Sequence, residues 1–145
     1  HATTPHTEAE RLVRRTEEFF AAKQALMSRH KIHVSFLTVL IGGQILYEPQ
    51  FFWFDRLSPF HLKNVSAKQR ARYAATAANP EVRHAVAEMR AELITLFAEL
   101  GATHMQCGKL YPYLQGLSAA EQADIRALKQ RLDPRGLMNP GALGL

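Results

Sequence analysis

Leu12, Val13, Phe19, Phe20, Leu26 and Met27 recur at helical spacing and predict an amphipathic N-terminal helix. Thr7 and Glu10 read as a T-x-x-E capping box at its start, and the pattern fades near His30. From Ile32 the pattern changes to a stretch rich in β-branched and aromatic residues that continues to Phe54. Gly42-Gly43 divides it in the manner of a two-residue hairpin turn, so strands are predicted near Ile32–Leu40 and Gln44–Trp53. Neither run alternates cleanly, which implies burial on both faces at least in part. Pro49 has no amide hydrogen, so the second strand is expected to be at an edge or bulged there.

Asp55 to Val65 reads as a loop or a short helix. Ser66 to Ala78 reads as an alanine-rich helix capped by Ser66. Asn79-Pro80 then supplies an N-cap and a first-turn proline. Val82, Val86, Met89, Leu93, Leu96, Phe97 and Leu100 form an apolar stripe behind it, and Gly101 suits the position just past the helix end. Ala102 to Leu117 is an irregular polar-aromatic connector. Ser118 and Glu121 form a second capping box, ahead of Ile125, Leu128 and Leu132 as inward positions. Asp133-Pro134-Arg135-Gly136 matches a type I turn, and the apolar Gly- and Pro-rich tail after it is expected to dock rather than form a helix. The composite is a helix, a hairpin, three helices and a docked tail: an α+β chain. A hairpin alone is a marginal sheet. With an abrupt start at His1 and no signal-peptide pattern, the expectation is a piece of a longer polypeptide, its partner strands coming from upstream or from another chain.

The 145 residues match one domain, and 47% apolar with 21% charged residues is a globular balance. No run of about 20 apolar residues is present to span a membrane. The net charge of +5 raises nucleic acid as a partner. However, Arg11, Arg14 and Arg15 alternate with Glu8, Glu10, Glu17 and Glu18, and no zinc-finger or RNP pattern occurs, so nucleic acid is not expected. A single cysteine, Cys107, excludes an internal disulfide and a multi-cysteine zinc site. It fits a reducing, cytoplasmic location and reads as a buried thiol.

The densest chemistry-bearing cluster is His104, Cys107, Lys109, Tyr111 and Tyr113 in the connector. Lys109 offers a point charge to a carboxylate. Tyr111 and Tyr113 either bind a substrate oxygen or ring, or pack with only the hydroxyl wet. His33 and His104 are a possible metal pair, with Glu48 and Asp55 the nearest acids; the alternative is a satisfied core or edge histidine. No phosphate loop, G-x-G-x-x-G, G-x-S-x-G or H-E-x-x-H pattern is present, so a self-contained nucleotide-binding enzyme is not expected.

Leu128 to Leu143, LKQRLDPRGLMNPGAL, resembles the C-terminal ending of FAD-linked oxidases of the vanillyl-alcohol oxidase and glycolate oxidase type, L-D-P-x-G-[ILM]-[LMI]-[NS]-P-G. Tyr47–Asp55 (YEPQFFWFD) and Leu100–Tyr113 (LGATHMQCGKLYPY) look like the same group. The resemblance implies the C-terminal part of a cap domain, a ferredoxin-like antiparallel sheet with flanking helices, over residues 1–145. It ends in a closing tail from about residue 133, and the FAD-binding domain lies upstream in the same polypeptide. The implied parent enzyme oxidises an alcohol, a 2-hydroxy acid or a phenolic alcohol, by hydride transfer to FAD; the fragment alone would be inactive. Asn139 is implied to lie near the cofactor, Lys109 and Tyr111 near the substrate, and His104 to act as base or hydrogen-bond partner. With the connector reading, His104 and Tyr111 are the candidate catalytic residues, and His33, Lys109 and Tyr113 the candidate substrate-binding residues. His33 falls where 2-hydroxy-acid dehydrogenases of the group begin an H-x-G-D-G-N-x-H motif. Here the second histidine and the asparagine are missing, and His104-Met105-Gln106 replaces E-H-G, so no metal is expected. The alternative to an enzyme part is a non-catalytic interaction or assembly module using the basic surface or Phe51–Phe54.

Overall fold

The computed structural model describes residues 1–106, 108–111 and 113–145, and it is an α+β structure: a small three-stranded antiparallel sheet and six α-helices. The reading of Cys107 as a buried thiol lies outside the described residues.

The hairpin forms where the apolar runs and the glycine pair place it. Strand β2 (His33–Ile41) pairs with β3 (Gln44–Phe52) in the register His33↔Phe52 through Ile41↔Gln44. Gly42 and Gly43 take φ of +50° and +84°. That backbone is costly for residues with a Cβ and matches the right-handed strand twist.

A third strand, which the apolar pattern did not reveal, completes the sheet. Strand β1 (Ala2–Pro5) pairs with Gln44–Tyr47 of β3. Its outer side exchanges backbone hydrogen bonds between Thr3 and Thr103, at 2.8 and 2.9 Å. The order β1-β3-β2 puts β3 in the middle, yet β1 covers only half of it. Pro49, opposite Phe36, sits in the half that β1 does not reach. Proline cannot donate to a ladder, so it is tolerated there.

One sheet face carries the core. Ala2, Ile45 and Tyr47 pack with Leu12 and Phe20 of α1 (Ala9–Ala22), Met27 of α2 (Gln24–His30), and Val82, Val86, Met89, Leu93 and Phe97 of α5 (Pro80–Glu99). Thr16 is fully buried because its hydroxyl donates to the Leu12 carbonyl one turn back, at 2.8 Å. β2 is largely exposed, with Leu40 67% and Ile41 50% accessible. Burial of both strands on both faces is therefore corrected: β2 is an edge strand with one face open.

The N-terminal helix differs from expectation in two ways. It is two helices, broken at Lys23. The Thr7–Glu10 capping box does not form, because a 3₁₀ turn at His6–Glu8 takes up Thr7 and leaves Glu8 at the N-cap without a side-chain cap. The other caps form. Asn79 accepts from Val82 N–H with Pro80 in the first turn, and Gly101 (φ +69°) follows the end of α5. Ser66 and Ser118 make full capping boxes with Gln69 and Glu121, at the starts of α4 (Ala67–Tyr73) and α6 (Ala119–Leu132). A short helix, α3 (Pro59–Asn64), is capped by Ser58. α6 buries no residue; Leu128 and Leu132 are 46% and 67% accessible, so their inward placement is corrected as well.

The tail docks on the connector: Leu143 N–H donates to the Gly108 carbonyl at 3.0 Å. Asp133 organises the turn before it. Its carboxylate accepts from Leu137 N–H and Met138 N–H, both at 2.9 Å, and from Lys129 Nζ at 2.6 Å. The Gly136 N–H to Asp133 carbonyl bond closes the expected turn.

Candidate functional site

The half of β3 left open by β1 is the wall of a cleft of about 280 Å³, close to the lower end of the roughly 300–1,000 Å³ typical of ligand sites. Pro49, Phe51 and Trp53 form the strand side. Arg90, Leu93, Ile94 and Phe97 of α5 face them, and Leu110 and Tyr111 of the connector close one end beside His1 and Glu48. The lining mixes apolar and aromatic side chains with polar groups, and the Arg90 and Glu48 side chains bring opposite charges to it.

Behind Tyr111 lies a cluster of three rings. The centroids of His1 and Tyr111 are 4.7 Å apart, those of His104 and Tyr111 5.4 Å, and those of His1 and His104 5.6 Å. Hydrogen bonds fix the imidazole tautomers. His104 Nδ1 lies 2.9 Å from the His1 carbonyl oxygen; a carbonyl only accepts, so Nδ1 carries the proton and Nε2 is bare. His1 Nε2 accepts from Met105 N–H at 2.8 Å and from Gln106 N–H at 3.2 Å, so its proton is on Nδ1. His104 Nε2 and His1 Nδ1 are both buried and have no hydrogen-bond partner among the described residues. One is a bare acceptor and the other a free donor. Burial holds the His104 imidazole below its usual pKa of 6.5 and so favours the neutral ring.

The expected site residues separate into two sets. His104 and Tyr111 come together in this cluster. Lys109 is exposed and lines a second, shallow cleft that shares Ile94, Leu110 and Tyr111 with the first. Tyr113 is half-buried, donates its N–H to the Tyr111 carbonyl at 2.8 Å, and lines neither cleft. His33 is an exposed residue at the start of β2, opposite Phe52, and lines neither cleft. Asn139 lies in the tail turn with φ +44°; it is exposed, and its side chain makes no hydrogen bond to the described residues. No group of three His, Cys, Asp or Glu able to hold a metal occurs among the described residues.

His1 and Arg90 line the cleft without having been singled out as site residues. Glu48 and Trp53 also line it, though the sequence marks them only as an acid near a possible metal pair and as part of the Phe51–Phe54 run. Arg90 carried a readable signal: it lies four residues after Val86 and four before Ile94, a cation at the margin of the α5 stripe. His1 carried none, because its place depends on β1. No helix is long and apolar enough to cross a membrane among the described residues. Comparison with protein-family models, curated proteins and solved structures finds no match.

Proposed function

We propose that this chain is the substrate-covering part of a flavin-dependent oxidoreductase that oxidises an alcohol, with the ferredoxin-like cap of FAD-linked oxidases as its architectural type. The observation that carries the reading is the pairing of a neutral imidazole, bare at a buried Nε2, with a tyrosine that lines an aromatic cleft. Alcohol oxidation requires a group to take the hydroxyl proton while hydride leaves the carbon. In this reading His104 is the proton acceptor; it lies behind Tyr111 and does not itself line the cleft, so the substrate hydroxyl reaches it past Tyr111. Tyr111 positions the substrate oxygen from the end of the cleft, and Lys109 lies on its other side. Phe51, Trp53 and Phe97 hold the carbon skeleton and keep water from it.

FAD supplies the hydride acceptor when bound, and its main site belongs to the upstream domain. The part of this chain that suits contact with it is the L-D-P-x-G-x-x-N-P-G turn. Asp133 holds that turn in shape, and Asn139 presents an amide unused within the described residues. The second reading, a non-catalytic interaction module using the basic surface or Phe51–Phe54, draws on the exposure of Phe52 and Phe54. Anaerobic mixing of the product of the complete gene with 2-hydroxy acids and phenolic alcohols tests the proposal. Bleaching of a bound flavin by one of these classes is expected; a bound flavin that no alcohol bleaches would overturn it.

A further inference from the structure

The segment from Arg56 to Pro80 carries the whole net charge of the protein. It contains Arg56, Lys63, Lys68, Arg70 and Arg72 and no acid, while the remaining 13 Lys and Arg equal the 13 Asp and Glu. All five cations are exposed, and none is in an ion pair among the described residues. The same segment and its base expose large apolar side chains: Phe54 at 66%, Phe60 at 72% and Leu62 at 37%. No residue from Phe52 to Glu81 is buried, so α3 and α4 form an arm outside the core.

The arm is nevertheless built. Asp55 Oδ1 accepts from Asn79 N–H at 2.7 Å, and Asp55 Oδ2 pairs with Arg83 Nε at 2.8 Å, which joins the two ends of the arm. Arg70 donates to the Leu62 carbonyl and ties α4 to α3. Asp55, at the base, is thus neutralised by Arg83. Arg29, His30 and Lys31 line a cleft with Phe54 at the same base, facing a single acid, Glu81.

We infer that this arm is a docking surface for an anionic lipid membrane, which it meets peripherally. Exposed lysines and arginines are drawn to anionic headgroups, and adjacent Phe and Leu side chains gain by entering the headgroup–acyl boundary. A polyanion such as DNA satisfies the charges but leaves Phe60 and Leu62 in water. The exposed apolar residues therefore favour lipid. The inference does not depend on the flavin reading.

The test is co-sedimentation of the full chain with phosphatidylcholine vesicles with and without phosphatidylglycerol. Binding is expected only with phosphatidylglycerol, and it should weaken as salt rises. A Lys63→Glu/Lys68→Glu variant should bind about tenfold or more weakly, and Phe60→Ser about tenfold more weakly. All three positions are exposed, and circular dichroism verifies that each variant is folded. Absence of vesicle binding at low salt overturns the inference. Binding indifferent to Phe60→Ser, or tighter binding to duplex DNA than to vesicles, also overturns it and assigns the arm to a polyanion. A dimer that is lost in Phe60→Ser, without vesicle binding, overturns it in favour of a second copy.

Discussion

His104 and His1 are joined through the Nδ1 of one and the carbonyl oxygen of the other, 2.9 Å apart. The bare Nε2 of His104 is buried without a partner among the described residues, on a ring packed beside Tyr111, and protonating it there places a charge where no partner among those residues receives it. Because burial lowers the folded-state pKa below 6.5, the unfolded chain takes up this proton first as pH falls. The stability contributed by the neutral ring is complete above about pH 6.5 and is lost as pH drops through the folded value. Thermal melts should show Tm falling below about pH 6.5 in the wild type, with a shallower fall in His104→Phe. Parallel profiles would show that His104 does not titrate in this way.

The same bare nitrogen predicts an effect on turnover. In the product of the complete gene, His104→Ala should lower kcat by about 10²–10⁴-fold, the usual contribution of a general base. Tyr111→Phe should lower kcat/KM by about tenfold through loss of one hydrogen bond to substrate. Steady-state kinetics measures both. Near-normal turnover in His104→Ala removes it as the base.

Asp133 is the centre of the tail turn. The Lys129 ammonium and the backbone N–H groups of Met138 and Leu137 hold its carboxyl down to about 2. Its stabilising effect is therefore present above the ordinary carboxylate value of 3.8 and is lost as pH falls towards 2. Asp133→Asn should speed amide exchange at Leu137 and Met138 at neutral pH, with little change at Met89 in the core. Hydrogen exchange read by NMR checks this; equal protection of the two amides in variant and wild type would contradict it.

The core and α6 should respond oppositely to truncation. Met89 is fully buried, and Met89→Ala should cost about 2–5 kcal/mol. Leu132 is 67% accessible, and Leu132→Ser should stay within about 0.5 kcal/mol. Urea unfolding of the two variants measures both; a loss at Leu132→Ser as large as at Met89→Ala would contradict the exposed placement of α6.

What the sequence made legible was local. The hairpin, the α5 stripe and the serine and asparagine caps are each specified by residues within a few positions of one another, and they form where their patterns place them. β1 was hidden because Ala2–Pro5 has no apolar alternation of its own; it exists through pairing with Gln44–Tyr47 and Thr103. His1 reaches the cleft through that strand, so His1 and Glu48 could not be read as neighbours. The Thr7–Glu10 pattern failed because the 3₁₀ turn shifts the start of α1 past Thr7. Leu128 and Leu132 have helical spacing, but spacing shows a stripe without showing what covers it. His104 and Tyr111 were readable as chemistry-bearing residues in a connector, whereas their ring contact is a product of the fold.

The most direct test of the proposed function is the intact mass and visible absorbance spectrum of the protein purified from its complete gene. A chain longer than 145 residues that carries a flavin band is the predicted result. A complete 145-residue protein with no flavin would contradict the oxidoreductase reading and leave the interaction module in its place.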